Sequence, residues 1–289
     1  MIEGVPAVAG MPDRLKLLRA LSISLLILLV YAQTAVGLVK DWISEESLSY
    51  GILIAPMALF LAWTDRETTF STPVMPTRRG LWLIGAASFL FLVGKLSAFD
   101  YFTRMSLVVC IAGLVWTFWG RVRLGTLGRP LVLLIAMVPP PALIMDRASL
   151  PLRLLASDYA TSIARTLGVT VNQDGNIIHL AEISLGVGDA CSGLNSLLAM
   201  LVTALLLSFM NCEGAWLRSL LVLLAVPLAV VFNILRIAGT AVIADYHAEA
   251  AMGFYHAFSG WLVFVLGAAV LFGLSKLLAR FNPAEVSHA

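Results

Sequence analysis

The run WLRSLLVLLAVPLAVVFNILRIAGTAVIA at residues 216–244 decides the architecture. It carries two charged side chains, Arg218 and Arg236, and is longer than the about 20 apolar residues a helix needs to cross a bilayer. Composition extends that reading to the whole chain of 289 residues. Hydrophobic residues make up 60% of it and charged residues 12%, the latter about half the share usual in soluble domains. With a mean hydropathy of +0.93, too little polar surface remains to wrap a water-soluble core. The expected class is an all-α polytopic membrane protein, a single integral-membrane domain over residues 1–289. The net charge of +2 says little about partners, because placement of charge matters more than its sum in such proteins. No signal-peptide cleavage pattern precedes the first apolar run, which is expected to remain as an anchor.

Eight stretches qualify as spans. Six are Ala20–Leu38, Gly80–Leu96, Met105–Trp119, Cys191–Phe209, Trp216–Ala244 and Phe258–Leu278. Two are weaker: Leu48–Trp63 is short and carries Pro56, and Pro130–Met145 is interrupted by Pro139, Pro140 and Pro141, which predicts a kink or unwinding. Assigning the gaps alternately puts twelve basic residues on one side: Arg14, Lys16, Arg19, Arg66, Arg78, Arg79, Arg121, Arg123, Arg129, Arg218, Lys276 and Arg280. Seven fall on the other: Lys40, Lys95, Arg104, Arg147, Arg153, Arg165 and Arg236. Three of those seven lie in one long loop, where the positive-inside rule is weak, so both termini are expected in the cytoplasm.

Residues 147–190 form the one long stretch outside the membrane. Leu152, Leu155, Tyr159, Ile163 and Leu167 recur at helical spacing before Gly168, a C-cap glycine, which predicts an amphipathic helix at the outer membrane surface. Val169–Val171 and Ile177–Leu180 then flank Asn172-Gln173-Asp174-Gly175-Asn176, the pattern of a small β-hairpin.

Three cysteines punctuate the chain. Cys191 and Cys212 are 21 residues apart along a mostly helical segment, about 30 Å at 1.5 Å per residue. A disulfide needs Cα atoms within about 7 Å, so this pair is excluded. Cys110 falls inside the fourth span and reads as a packing residue. Cys191 is placed differently, at the outer mouth of the sixth span beside Asp189, Ser192 and Gly193. Free N–H groups and the dipole at a helix N-terminus favour a thiolate there. Arg236 lies seventeen or so residues, about 26 Å, from the inner end of its helix. His256 precedes the eighth span. A cysteine, a histidine and an arginine at one membrane face are the components of acyl transfer. Each also has an ordinary alternative. A lone cysteine at a helix start is more often packing, Arg236 could snorkel to head groups, and His256 could be an interfacial histidine like His247 or His179. Convergence of the three at one depth outweighs any of them singly.

The motifs around these residues resemble those of the exosortase/archaeosortase family of membrane cysteine transpeptidases. Ala190-Cys191-Ser192-Gly193-Leu194-Asn195-Ser196 resembles the family's cysteine motif, Asn233-Ile234-Leu235-Arg236-Ile237 its arginine motif, and His256 with Gly260 and Phe264 its histidine motif. Ser49-Tyr50-Gly51 through Pro56 is similar to an early segment that usually reads Ser-His-Gly; Tyr50 replaces that histidine and is assigned no catalytic role. The resemblance spans roughly residues 48–264, and His256 at the third position is closer to bacterial exosortases. It implies a thiol protease or transpeptidase at the periplasmic face of a bacterial inner membrane. The implied substrates are secreted proteins ending in a PEP-CTERM-type signal: a Pro-Glu-Pro-like motif, a transmembrane helix and a basic tail.

On that reading Cys191 attacks the scissile carbonyl to form a thioester, His256 moves the proton and Arg236 stabilises the oxyanion. Asn195 and Asn233 are supporting candidates, or interhelical glue. Asp189 could orient His256 or simply favour the helix N-terminus. No cofactor, metal or nucleic-acid partner is called for; membrane lipid and an unidentified acceptor nucleophile are. The rival reading is a transporter or an assembly factor for exopolysaccharide export, suggested by the proline-broken spans. It is weakened by the lack of an acidic or basic residue mid-membrane in the first five spans. A metal-dependent intramembrane protease is disfavoured because no His-Glu-x-x-His run occurs.

The charge asymmetry makes a direct prediction. Reporter fusions at Ser71 and Gly214 report the cytoplasm and a fusion at Gly175 reports the outside; a cytoplasmic signal at Gly175 inverts the map.

Overall fold

The computed structural model describes residues 13–45, 48–181, 183–187, 193–247 and 254–282. Eleven helices and three short strands are found among them. The first half holds α1 (Asp13–Ser44), α2 (Gly51–Thr64), α3 (Arg66–Ser71), a 3-10 turn at Arg78–Gly80, α4 (Leu81–Leu96), α5 (Asp100–Trp119), α6 (Arg121–Thr126) and α7 (Gly128–Ile135). The second half holds α8 (Ala142–Thr166), β1 (Asn172–Asp174), β2 (Ile177–His179), β3 (Ser184–Gly186), α9 (Leu194–Asn211), α10 (Ala215–Tyr246) and α11 (Phe254–Ala279). Among the described residues five helical stretches are long and apolar enough to cross a membrane: 78–96, 100–119, 194–211, 215–246 and 258–279. The first expected span lies inside the 32 residues of α1.

The expected count of eight is therefore not reached: Ala20–Leu38, inside α1, and the two weak spans are not among the five. Leu48–Trp63 yields only the 14 residues of α2, about 21 Å at 1.5 Å per residue. Pro130–Met145 yields the 8 residues of α7, about 12 Å, and then the chain unwinds at Pro139–Pro141. Three consecutive prolines supply no N–H donors, so the helix stops there. Beyond Pro141 the chain does not remain in a span. Ala142–Met145 join the amphipathic segment in one continuous helix, α8, which runs through Pro151 to Thr166. Gly168 ends it at φ +89°, as its C-cap reading requires.

The expected hairpin is present and extended. Asn172 pairs with His179 and Asp174 with Ile177, closing a two-residue turn in which Gly175 has φ +58°. Asn172–Asp174, read as turn, are strand instead, and β3 adds a third antiparallel strand with Ile178 opposite Leu185. This sheet sits on α8 and α10. Ala156, Ala160 and Ala164, one turn apart on α8, share a buried cluster with Ile178 and Val187 and with Ile234, Ile237, Ala238 and Ala241 of α10. Small residues at four-residue spacing let the two backbones approach.

Three further clusters complete the core. One joins α1, α2, α7 and α9 around Leu38, Ile54 and Leu133. Another joins α9, α10 and α11 around Met200, Leu221 and Leu271. The third lies between α1, α4 and α5, where Tyr31 and Ser106 share a hydrogen bond of 3.1 Å. Polar groups tie the helix ends. Arg129 binds Asp65 Oδ1 at 2.9 Å and the Phe209 carbonyl at 3.2 Å, joining α2, α7 and α9. Lys276 donates to Asn211 Oδ1 at 2.8 Å, and Arg218 to the Cys212 carbonyl at 3.0 Å. From the α4–α5 hairpin to α1, Arg104 binds Asp41 at 2.6 Å and Lys95 donates to Gln33 at 3.1 Å.

The α4–α5 hairpin packs through glycine. A methyl group on Gly94 would meet Thr103, standing 2.6 Å from its backbone nitrogen, whereas one on Gly85 meets nothing within 4 Å. Alanine is about 1 kcal/mol better than glycine inside a helix, so Gly85→Ala should leave the melting temperature unchanged or raised. Gly94→Ala should lower it despite that propensity, by the about 1–3 kcal/mol typical of overpacking. Thermal unfolding of the two purified variants is the measurement.

Candidate active site

The apolar run at 216–244 folds as nearly the whole of α10, and in its outer half Asn233 and Arg236 stand one turn apart. Asn233 is 2% exposed and Arg236 half-buried. Thr240 donates to the Arg236 carbonyl at 2.8 Å, closing the next turn. The helix therefore holds a polar strip between Leu235, which is exposed, and Ile237, which is buried.

Two glycines bring the neighbouring motifs onto this strip. Gly193 is the N-cap of α9, with φ +77°, and a Cβ built on it would lie 2.6 Å from Asn233 Nδ2 and 2.8 Å from its Cγ. The cysteine motif thus enters α9 pressed against the arginine motif. Its first turn is closed by Leu197 N–H and Ser196 Oγ, which donate to the Gly193 carbonyl at 2.8 and 3.0 Å. Gly260 sits on α11, where an added Cβ would lie 3.2 Å from Arg236 Nη2 and 3.3 Å from Cζ. The guanidinium rests on bare α11 backbone, four residues beyond His256 in the same helix. Deeper in, Gly267 of α11 abuts Met200 of α9.

The residues expected at the site fall into two groups. Asn233 and Arg236 are brought together, with Gly193 and Gly260 against them. Asn195 is half-buried at the second residue of α9. Cys191 and Asp189 lie outside the described residues, as does the His256 side chain; the His256 backbone belongs to the first turn of α11. The helix expected to begin at Cys191 begins at Leu194. Gly193 and Gly260 stand in the sequence as members of motifs, and the motifs alone do not reveal that each is a contact point. The signal present in the sequence is that glycine recurs beside the polar residue in both motifs, as close backbone approach requires.

The other two cysteines are poorly placed for chemistry. Cys110 is 8% exposed within α5. Cys212, between α9 and α10, is 2% exposed. Burial pushes its thiol above the usual range, and the nearby Arg218 guanidinium opposes this by less. A raised pKa leaves little thiolate at neutral pH, and the thiolate is the nucleophile. Tyr50, in the histidine position of the early segment, lines an almost wholly apolar cavity of about 380 Å³. Tyr101, Met105, Val138, Leu198 and Leu201 share that lining, so the early segment meets α9 there.

The glycine contact can be tested without an activity assay. Gly193 and Gly168 both have positive φ, but only Gly193 faces a neighbour within 4 Å. Alanine carries the same backbone strain at either site, so Gly193→Ala should cost about 1–3 kcal/mol more than Gly168→Ala. Adding Asn233→Ala should recover part of the excess in thermal unfolding. Equal losses would remove the contact from consideration.

No curated protein and no solved structure matches the chain. The family model described as transmembrane exosortase (Exosortase_EpsH) matches residues 42–273, from the end of α1 to the last turns of α11, and takes in the early segment and the cysteine, arginine and histidine motifs. The chain therefore belongs to the transmembrane exosortase family.

Proposed function

We propose that this family member is a cysteine transpeptidase, with Cys191 as nucleophile, His256 as proton carrier and Arg236 as oxyanion donor. The observation that carries the reading is the double glycine contact: Gly193 against Asn233, and Gly260 against Arg236. Through it the cysteine motif, the arginine motif and the helix bearing His256 meet at one level of the α9–α10–α11 cluster. A guanidinium in a water-poor setting is worth most where negative charge develops, and acyl transfer develops it on the carbonyl oxygen.

In the first step the Cys191 thiol gives its proton to His256 and the thiolate attacks the scissile carbonyl. Negative charge moves to the oxygen, facing Arg236. Collapse breaks the C–N bond, His256 returns the proton to the departing amine, and a thioester remains on Cys191. An acceptor nucleophile then displaces the thiol, or water hydrolyses the thioester. Asn233 and Asn195 support the two helices that carry the motifs.

The proposal includes a setting. The chain crosses a bacterial inner membrane eight times, α2 and the α7–proline segment serving as short crossings, with both termini in the cytoplasm and the site at the periplasmic face. Its substrates are secreted proteins with a C-terminal PEP-CTERM-type signal of motif, transmembrane helix and basic tail. A substrate helix with its basic tail inside presents its motif at the outer interface, the level of the site.

Co-expression with such a signal protein tests this, read as the precursor-to-product ratio on immunoblot and the mass of the new C-terminus. Cys191→Ala should abolish processing, while Cys110→Ala and Cys212→Ala leave it nearly intact. Arg236→Lys should accumulate precursor that still crosslinks to the enzyme, because an ammonium cannot reproduce the planar fork of donors. Loss of such a donor costs about 10²–10³-fold in rate. His256→Ala should accumulate it as well. Normal processing by Arg236→Lys would return Arg236 to a lipid-snorkelling role, and processing by Cys191→Ala would end the proposal.

A further inference from the structure

We draw no further inference here: the strongest candidate, the apolar cavity of about 380 Å³ lined by Tyr50, by Tyr101 of α5, by Pro140 and by Leu198 and Leu201 of α9, would take an acyl chain or the side of an apolar helix equally well, and nothing in the structure shows what covers it.

Discussion

A guanidinium on an otherwise apolar helix has to be enclosed by protein, and this requirement organises the second half of the chain. Charge is costly in hydrocarbon, so α10 can carry Arg236 only if neighbouring elements replace lipid around it. α11 does so by offering Gly260, where the absence of a side chain lets the guanidinium lie on backbone. α9 does so one turn away, its Gly193 closing over Asn233. The three helices share the buried cluster around Met200, Leu221 and Leu271, so the polar level sits at one end of a packed apolar column.

The long segment between α7 and α9 completes the enclosure from the side. The alanine row of α8 brings that helix close along α10, and the sheet lies over both. The sheet also holds the chain where it leaves toward the cysteine motif: Val187 N–H donates to the Asn176 carbonyl at 2.8 Å, and Asn176 Nδ2 donates to the Val187 carbonyl at 3.0 Å. Val187 is thus fixed on the sheet, and Gly193 on Asn233.

Much of this was legible in the sequence where local chemistry is decisive. Gly168 and Gly175 adopt the positive φ that their helix-end and turn readings demanded, and Pro139–Pro141 break the chain where three missing N–H groups must. Long apolar runs became helices because nothing else satisfies a backbone in lipid. What escaped was non-local. The three residues of β3 are too few to carry a period, and only β2 alongside makes them a strand. The helical spacing after Pro151 hid the fact that α8 begins nine residues earlier, since a proline inside a helix looks like a start. At the site, polar residue types and their depth could be read, but the glycine contacts depend on three helices meeting.

The brevity of α2 has a consequence for the surrounding lipid. A helix of 14 residues spans about 21 Å, while the hydrocarbon of an ordinary bilayer is about 30 Å thick. Its partner α7 is shorter still, and the two pack together between α1 and α9. In the proposed eight-crossing arrangement α2 is a crossing shorter than that slab, and the bilayer beside it would pinch inward to meet it, at a cost of fractions of a kcal/mol for each ångström. Such an arrangement favours thin membrane, and a patch of strained, shallower lipid would travel with the protein as it diffuses.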